Sequence, residues 1–519
     1  MTLSPTASPT ELSAVARSLS PADKKLVDFS PVRLSYVAAL RGVKPRVTGT
    51  PFAYAQIIGS ENAVGLACLA ASNPEGCFYG LMADAAEAMK AQNLADARQV
   101  NNVTFLADTP SSLLAQPDRN VLPMLDYLGC DAGESPLSAA ERDALFALAE
   151  KQLRPNGLFA YNYRAYANAD DVLRFLVSEF APEMNAQQAQ EFLQEIKALG
   201  QLYFKDHPIA LASLEDAIAK GEPGAFFAAC GVGSKPTSGT FDVLAGLLPH
   251  GFTFVGDADY GANYMELASP SSSHDILEKC RDHLLYQPIK DFATQRLERC
   301  DIWCRLPVEQ TQDAVALFGG FTFGIAAPRE RLPVEVRSHN GLIDLGKPPF
   351  ANLIDLLTIL PAGIGDFLHH PNGQGIKPAD AVTAMHILVA LGVAHPMRAH
   401  FHGKKPSVLD EPKLISSFNH YLNETPITTA RVMLASTVVG NAVTLSAREA
   451  LVLQAVNRAG IANATQALLP ELLRLTNHPA LAAQIMDAAD PTADLAQAMI
   501  TNVFHDSLSR WYAYGLVAA

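Results

Sequence analysis

Residues 51–58, PFAYAQII, open a run in which short apolar stretches take turns with helical ones. The small-residue stretch AVGLACLAA (63–71) follows, then CFYGLM (77–82), DAAEAMKAQNLADAR (84–98) and NVTFLAD (102–108). Such alternation predicts βαβ units and a parallel sheet with helices on its faces. Further on, Ser138 with Glu141 three residues later is a capping box that opens a helix. That helix ends near Arg154-Pro155-Asn156-Gly157, ahead of the apolar strand GLFAYNY (157–163). GFTFVGDADY (251–260) and CDIWCRL (300–306), separated by the helical HDILEKCRDHLLY (274–286), predict an antiparallel pair that closes one edge of the sheet.

Outward from this core the chain divides by pattern. Residues 1–50 form a helical preface, with apolar residues at three- and four-residue steps around Leu12–Arg17 and Val32–Leu40. The sheet domain takes 51–166 and 238–306, interrupted by a helical insertion over 167–237 that includes NAQQAQEFLQEIKALGQLYF (185–204) and ASLEDAIAKG (212–221). Over 307–396, the short strands FTFGIAA, LPVEVRS and GLIDLG precede three short helices, the pattern of a small winged-helix-like α+β module. Residues 397–519 read as helical, with a second capping box at Ser446 and Glu449.

Bulk composition bounds the function. With 519 residues, of which 49% are hydrophobic and 18% charged, the chain can bury several cores. A net charge of −14 gives a field that repels phosphates, and no basic patch offsets it, so nucleic acid is not expected as a partner. Seven scattered cysteines fit a reducing compartment. The start, MTLSPTASPTELS, lacks a basic stretch leading into an apolar one, and no apolar run reaches bilayer length, which predicts a cytoplasmic protein without a membrane span.

Several segments together resemble one family. They are PVRLSYVAALRGVKP (31–45), LRPNGLFAYNY (153–163), FTFVGDADY (252–260), DFATQRLERCDIWCR (291–305), ALGVAHPM (390–397) and STVVGNAVTLSAREALVL (436–453). In order and spacing they are similar to bacterial class I S-adenosylmethionine (SAM)-dependent methyltransferases with a methyltransferase regulatory domain, a group that includes rickettsial protein-lysine methyltransferases. The resemblance implies a Rossmann-like sheet that binds SAM, a helical insertion that makes a homodimer, and middle and C-terminal domains that shape access for a protein or other large acceptor.

The family's cofactor loop is similar to V-L-E-L-G-C-G-x-G-G-N, and FAYAQIIGSEN (52–62) is the matching stretch. Tyr54 stands where the family has its acid, Gln56 and Ile58 where it has glycines, and Ser60 and Glu61 where two more follow. Gly59 is displaced by one position and Asn62 is kept. A turn of positive φ does not suit a β-branched Ile, so the loop is expected to have another shape. Met82 matches the ribose carboxylate, and Asp84, two residues on, is either its replacement or a helix N-cap. Ala107 and Asp108 match the adenine site, with a helix cap before Pro110 as the other reading of Asp108. Leu125 and Asp126 match a His-Gly-like pair at the end of the fourth strand, with Pro123 inside that strand. Tyr161 and Asn162 match a Ser-Tyr-Asn that lines the methyl-transfer funnel, or are a buried, hydrogen-bonded pair.

Other constellations are weaker. His395, His400 and His402, and His369-His370, lack acid or thiol partners at ligand spacing, so no metal is expected. Cys300 and Cys304 read as alternating strand residues, and Gly231-Val232-Gly233 as a hinge. Two functions stay open: a SAM-dependent methyltransferase, or an inactive relative kept as a binding or dimerisation scaffold. A regulator acting through the winged-helix-like module is disfavoured by the charge.

Overall fold

The computed structural model describes residues 29–46, 49–59, 62–116, 121–132, 137–165, 185–199, 204, 208–224, 226, 239–269, 271–281, 286–294, 296, 298–338, 340–398, 412–486 and 491–518. Expectations for Leu12–Arg17, Ser60, Glu61, Gly231–Gly233, His400 and His402 lie outside them.

The chain enters through helix α1 (Pro31–Leu40), started by Ser30, whose hydroxyl accepts from Arg33 N, with Pro31 in the first turn. Strands and helices then alternate: β1 (Phe52–Ile57), α2 (Ala63–Ala71), β2 (Gly76–Met82), α3 (Ala85–Ala97), β3 (Val103–Ala107) and α4 (Pro110–Ala115). They continue with β4 (Leu125–Asp131), α5 (Ala139–Gln152) and β5 (Leu153–Arg164). Ser138 caps α5 by accepting from Glu141 N, but the reciprocal half of the expected capping box is not formed, the Glu141 carboxylate accepting from the Ser111 hydroxyl instead. Helices α6 (Ala186–Leu199) and α7 (Pro208–Lys220) pack on each other through Leu193, Phe204 and Leu214. Then come α8 (Thr240–Leu247), β6 (Phe252–Asp257), α9 (Tyr286–Thr294) and β7 (Glu298–Arg305).

The seven strands lie in the order β3-β2-β1-β4-β5-β7-β6. β1 to β5 are parallel, and β7 runs antiparallel to both β5 and β6. The Pro155-Asn156-Gly157 turn is a bulge inside β5: pairing jumps from Leu125↔Leu153 to Tyr127↔Leu158, and Asn156 takes φ 66. Both faces of the central strands are covered, so β4 is buried along six of its seven residues. One face packs Tyr36 of α1, Leu66 of α2, Tyr54 and Phe78, and the other packs Phe146 of α5 against Phe159, Tyr161 and Trp303.

After β7, helices Phe350–Ile359, Ile364–His369 and Pro378–Ala390 accompany the hairpin of Glu335–Ser338 with Gly341–Asp344. The last part is mostly helical, with the helix Ala493–Ala513 followed by a short strand, Val517–Ala518, that pairs with Lys413–Leu414, but its first half departs from the expected pattern. Arg431–Ser436 and Asn441–Ser446 form an antiparallel hairpin that turns through Gly440, which takes φ 72, a conformation glycine adopts without strain. This hairpin sits on α2: Ser436 N donates to Ser72 Oγ (3.1 Å), and Asn73 Nδ2 donates to Gly440 O (3.0 Å). Among the described residues no helix is long and apolar enough to cross a membrane.

Candidate functional site

In an open α/β sheet, ligands bind outside the carboxyl ends of the strands, at the point where strand order reverses. Here that point lies between β1 and β4. The edge consists of Ile58 and Gly59 after β1, Ala83 and Asp84 after β2, Asp108 after β3, Asp131 and Ala132 at the end of β4, and Asn162 on β5. Glu298, at the start of antiparallel β7, joins the same edge.

The end of β1 is closed. Gln56 and Ile57 remain paired to both β2 and β4, and Ile58 N still donates to Leu81 O (3.0 Å). The strand therefore runs straight through the positions where a glycine turn would begin, as β-branched residues favour. Tyr54 is fully buried and its single hydroxyl hydrogen is shared between Gln56 Oε1 (2.9 Å) and Phe29 O (3.2 Å). Burial holds this phenol's pKa well above the usual range. Room for the two side chains comes from the neighbouring strand: a Cβ on Gly129 would stand 3.1 Å from Tyr54 Oη and 3.2 Å from Gln56 Cγ. Gly59 is half-buried, and Asn62 begins α2 in helical conformation with no capping bond from its side chain.

Met82, the last residue of β2, is buried in the apolar layer and supplies no carboxylate itself. Asp84 is exposed and caps α3, with Oδ1 accepting from Glu87 N (2.9 Å). At the end of β3, Ala107 is exposed, while Asp108, just after it, is buried and accepts from the Ser112 hydroxyl (3.1 Å). The cap of α4 is Thr109, in a capping box with Ser112, and not Asp108.

The fourth strand departs from expectation. Leu125 and Asp126 begin β4 and so lie at the amino edge, away from the site. Pro123 precedes the strand, because the chain becomes extended and paired only after it. Asp126 fastens that edge by accepting from Ala53 N (2.9 Å) and pairing with Arg46. The carboxyl end belongs instead to Asp131. Asn162 Nδ2 donates at 2.9 Å to both Asp131 Oδ1 and Glu298 Oε1. Asn162 Oδ1 is buried and has no hydrogen-bond partner among the described residues. Asp131 and Glu298 are functional candidates that sequence reasoning missed. Locating the end of β4 five residues beyond Asp126 would have pointed to the first.

Tyr161 and Asn162 do not face one funnel. Adjacent strand residues point to opposite faces, and Tyr161 stacks between Phe159 (5.8 Å) and Tyr163 (5.5 Å) in the layer beneath α5.

Beside this edge, β6, α9 and β7 bury a charge network. Arg299 donates to Asp301 Oδ1 (2.8 Å), Asp291 Oδ1 (2.6 Å) and Gln287 Oε1 (3.1 Å). Tyr163 donates to Asp301 Oδ2 (2.6 Å) and Thr240 to Asp291 Oδ2 (2.6 Å). Burial raises Asp301 to about 6 despite the Arg299 guanidinium, which pulls the other way. Arg296 holds Asp257 at 2.8 Å. Cys300 and Cys304 both lie buried on β7. No cluster of metal-ligating side chains occurs among the described residues, His369, His370 and His395 included.

A family model described as a predicted methyltransferase regulatory domain matches residues 240–305, the segment from α8 through β7. No curated protein matches the chain. Among solved structures, PKMT2 from Rickettsia typhi in complex with AdoHcy is similar with TM-score 0.64 at 14% identity, over 95% of this chain and 99% of that one. A second structure of PKMT2 from the same organism gives TM-score 0.65 at 15% identity with the same coverage. At such identity the likeness is one of fold, and it extends over nearly the whole of both chains.

Proposed function

We propose that this chain, which has the fold of a class I methyltransferase and a methyltransferase regulatory segment at 240–305, is a SAM-dependent methyltransferase acting on a protein or other large acceptor. The observation that carries the proposal is the trio Asp131, Asn162 and Glu298 at the carboxyl ends of β4 and β5. Two carboxylates bridged by an amide suit cationic groups, whether a sulfonium cofactor or the ammonium of an acceptor lysine, which must lose a proton before it attacks. Methyl transfer is an in-line displacement that rests mainly on positioning, so it needs few further acid-base groups.

SAM itself would lie over β1 to β4, as the PKMT2 complex with AdoHcy suggests by its shared fold. Asp84 has one carboxylate oxygen spent on the α3 cap and a second to offer the ribose. Asp108 stands at the adenine position. We further assign the 167–237 insertion to a homodimer contact and the protein to the cytoplasm.

A second reading has its own support. The closed end of β1, with Tyr54 and Gln56 bonded to each other where an acid and a glycine would stand, favours an inactive scaffold that keeps the fold without the cofactor. Calorimetric titration with SAM and AdoHcy separates the two. Micromolar binding supports the transferase; no heat and no thermal shift at millimolar ligand leaves the scaffold. Sedimentation of the full chain and of a chain lacking 167–237 tests the dimer, which should be lost with the insertion.

A further inference from the structure

A cavity of about 310 Å³ opens between the carboxyl end of β6, the loop 259–268 and α9. That is enough room for a small metabolite. Four cationic side chains line it, Arg41, Lys290, Arg296 and Arg299, against the carboxylates of Asp257, Asp259 and Asp291. These acids are already engaged. Arg296 pairs with Asp257 (2.8 Å) and Asp259 (3.6 Å), and Arg299 with Asp291 (2.6 Å).

Arg41 and Lys290 are different, for neither has a carboxylate within ion-pairing distance among the described residues. Lys290 is only 8% exposed, and its ammonium donates one hydrogen bond, to Ala262 O. Two donors are left over. A buried ammonium without a counter-ion is costly; burial, aided by the field of Arg299, draws Lys290 down to about 8. Arg41 is exposed at the rim. Its guanidinium adds positive field at Lys290.

We propose that this cavity binds a small metabolite through an oxyanion group, a carboxylate or a phosphate ester, held between Arg41 and Lys290. The net charge of −14 repels anions at long range, so binding comes from these two local cations and from the buried setting, where charge-assisted hydrogen bonds are strong. The cavity is linked to the candidate site through its lining: Arg296 Nε donates to Glu298 O (3.0 Å). Arg299 lines it and binds Asp301, Asp301 accepts from the Tyr163 hydroxyl, and Tyr163 follows Asn162 on β5. Apart from Arg41, the lining falls within 240–305, the segment matched by the regulatory-domain model, which suits an effector rather than an acceptor.

The test needs neither SAM nor a methyl acceptor. The full-length protein is titrated calorimetrically with inorganic phosphate and with citrate, at ionic strength balanced by chloride. Binding of at least one probe is expected. Arg41→Gln and Lys290→Met should each weaken it by about tenfold, the loss of one charge-assisted bond. Arg41 is exposed, so R41Q keeps the fold and decides the matter if K290M does not fold. Wild-type affinity in R41Q, or no heat from either probe at millimolar concentration, would overturn the proposal.

Discussion

The two ends of the sheet's carboxyl edge are built in opposite ways. Over β1 and β2, where this architecture places a ligand, the chain has Tyr54, Gln56, Ile58 and Met82, all buried and satisfied by one another or by apolar neighbours. Over β6 and β7 it buries arginines, aspartates and a lysine around an open cavity. A core that has filled its own cleft needs nothing from outside. A buried charge cluster with two cations to spare does. The regulatory segment is thus chemically the less finished of the two, and ligand dependence is expected there first.

The largest effect should come from Arg299. Arg299→Met leaves Asp291 and Asp301 buried without their cation and should destabilise the fold by about 3–5 kcal/mol, read from the urea midpoint. A loss below about 1 kcal/mol would mean that water already reaches the cluster, since exposed pairs contribute no more than that.

Next comes a pH signature confined to the charged end. Lys290 titrates at about 8 in the fold against 10.5 for an ordinary lysine, so folding is disfavoured while it must stay protonated. The sign follows. The penalty is full below pH 8 and is relieved as pH rises from about 8 to 10.5, by up to about 3 kcal/mol. The charged groups that face Lys290 are the guanidinium groups of Arg299, Arg296 and Arg41, which lower its pKa, and the Asp257 carboxylate, which raises it. Wild-type stability relative to Lys290→Met should therefore climb with pH over this range. A flat difference would show that the ammonium is already compensated.

At the closed end the matching probe is steric. A methyl group on Gly129 would press on Tyr54 Oη, Gln56 Cγ and Phe29 Cδ1, each 3.1–3.2 Å away. Gly129→Ala should cost about 2 kcal/mol by overpacking, and pairing it with Tyr54→Ala should recover part of that loss. Additive losses in a double-mutant cycle would mean that the strand end is looser than its contacts imply.

How far the sequence revealed these two ends follows from the physics each depends on. The alternation from Pro51 to Asp108 placed β1, α2, β2, α3 and β3 within a residue or two, because those elements are set by local periodicity and by caps such as Asp84. The altered loop was legible too, since Ile58 cannot serve a left-handed turn. The end of β4 was not. Pro123 looked like part of the strand, and nothing local fixes register against β1, so Asp126 was assigned to the wrong edge and Asp131 passed over. The charge cluster was equally hidden. Arg299, Asp301, Asp291 and Lys290 lie close in sequence, but Thr240 and Tyr163 meet them only through tertiary packing, which no periodicity encodes.

The smallest effect bears most directly on whether the first end is really finished. Asp84 is the one acid at the end of β2, and it does two things if the transferase reading holds: Oδ1 caps α3 and Oδ2 meets a ribose hydroxyl. Asp84→Ala removes the cap and should cost about 1 kcal/mol of stability. Asp84→Ser keeps an N-cap acceptor while removing the carboxylate, so its stability should stay near wild type. AdoHcy affinity separates the roles, because a ribose contact is lost in both variants, by about tenfold for one charge-assisted hydrogen bond. If Asp84→Ser binds AdoHcy as the wild type does, the aspartate is a cap alone. The carboxyl end of β2 then offers the cofactor nothing, and the contrast between the two ends becomes complete.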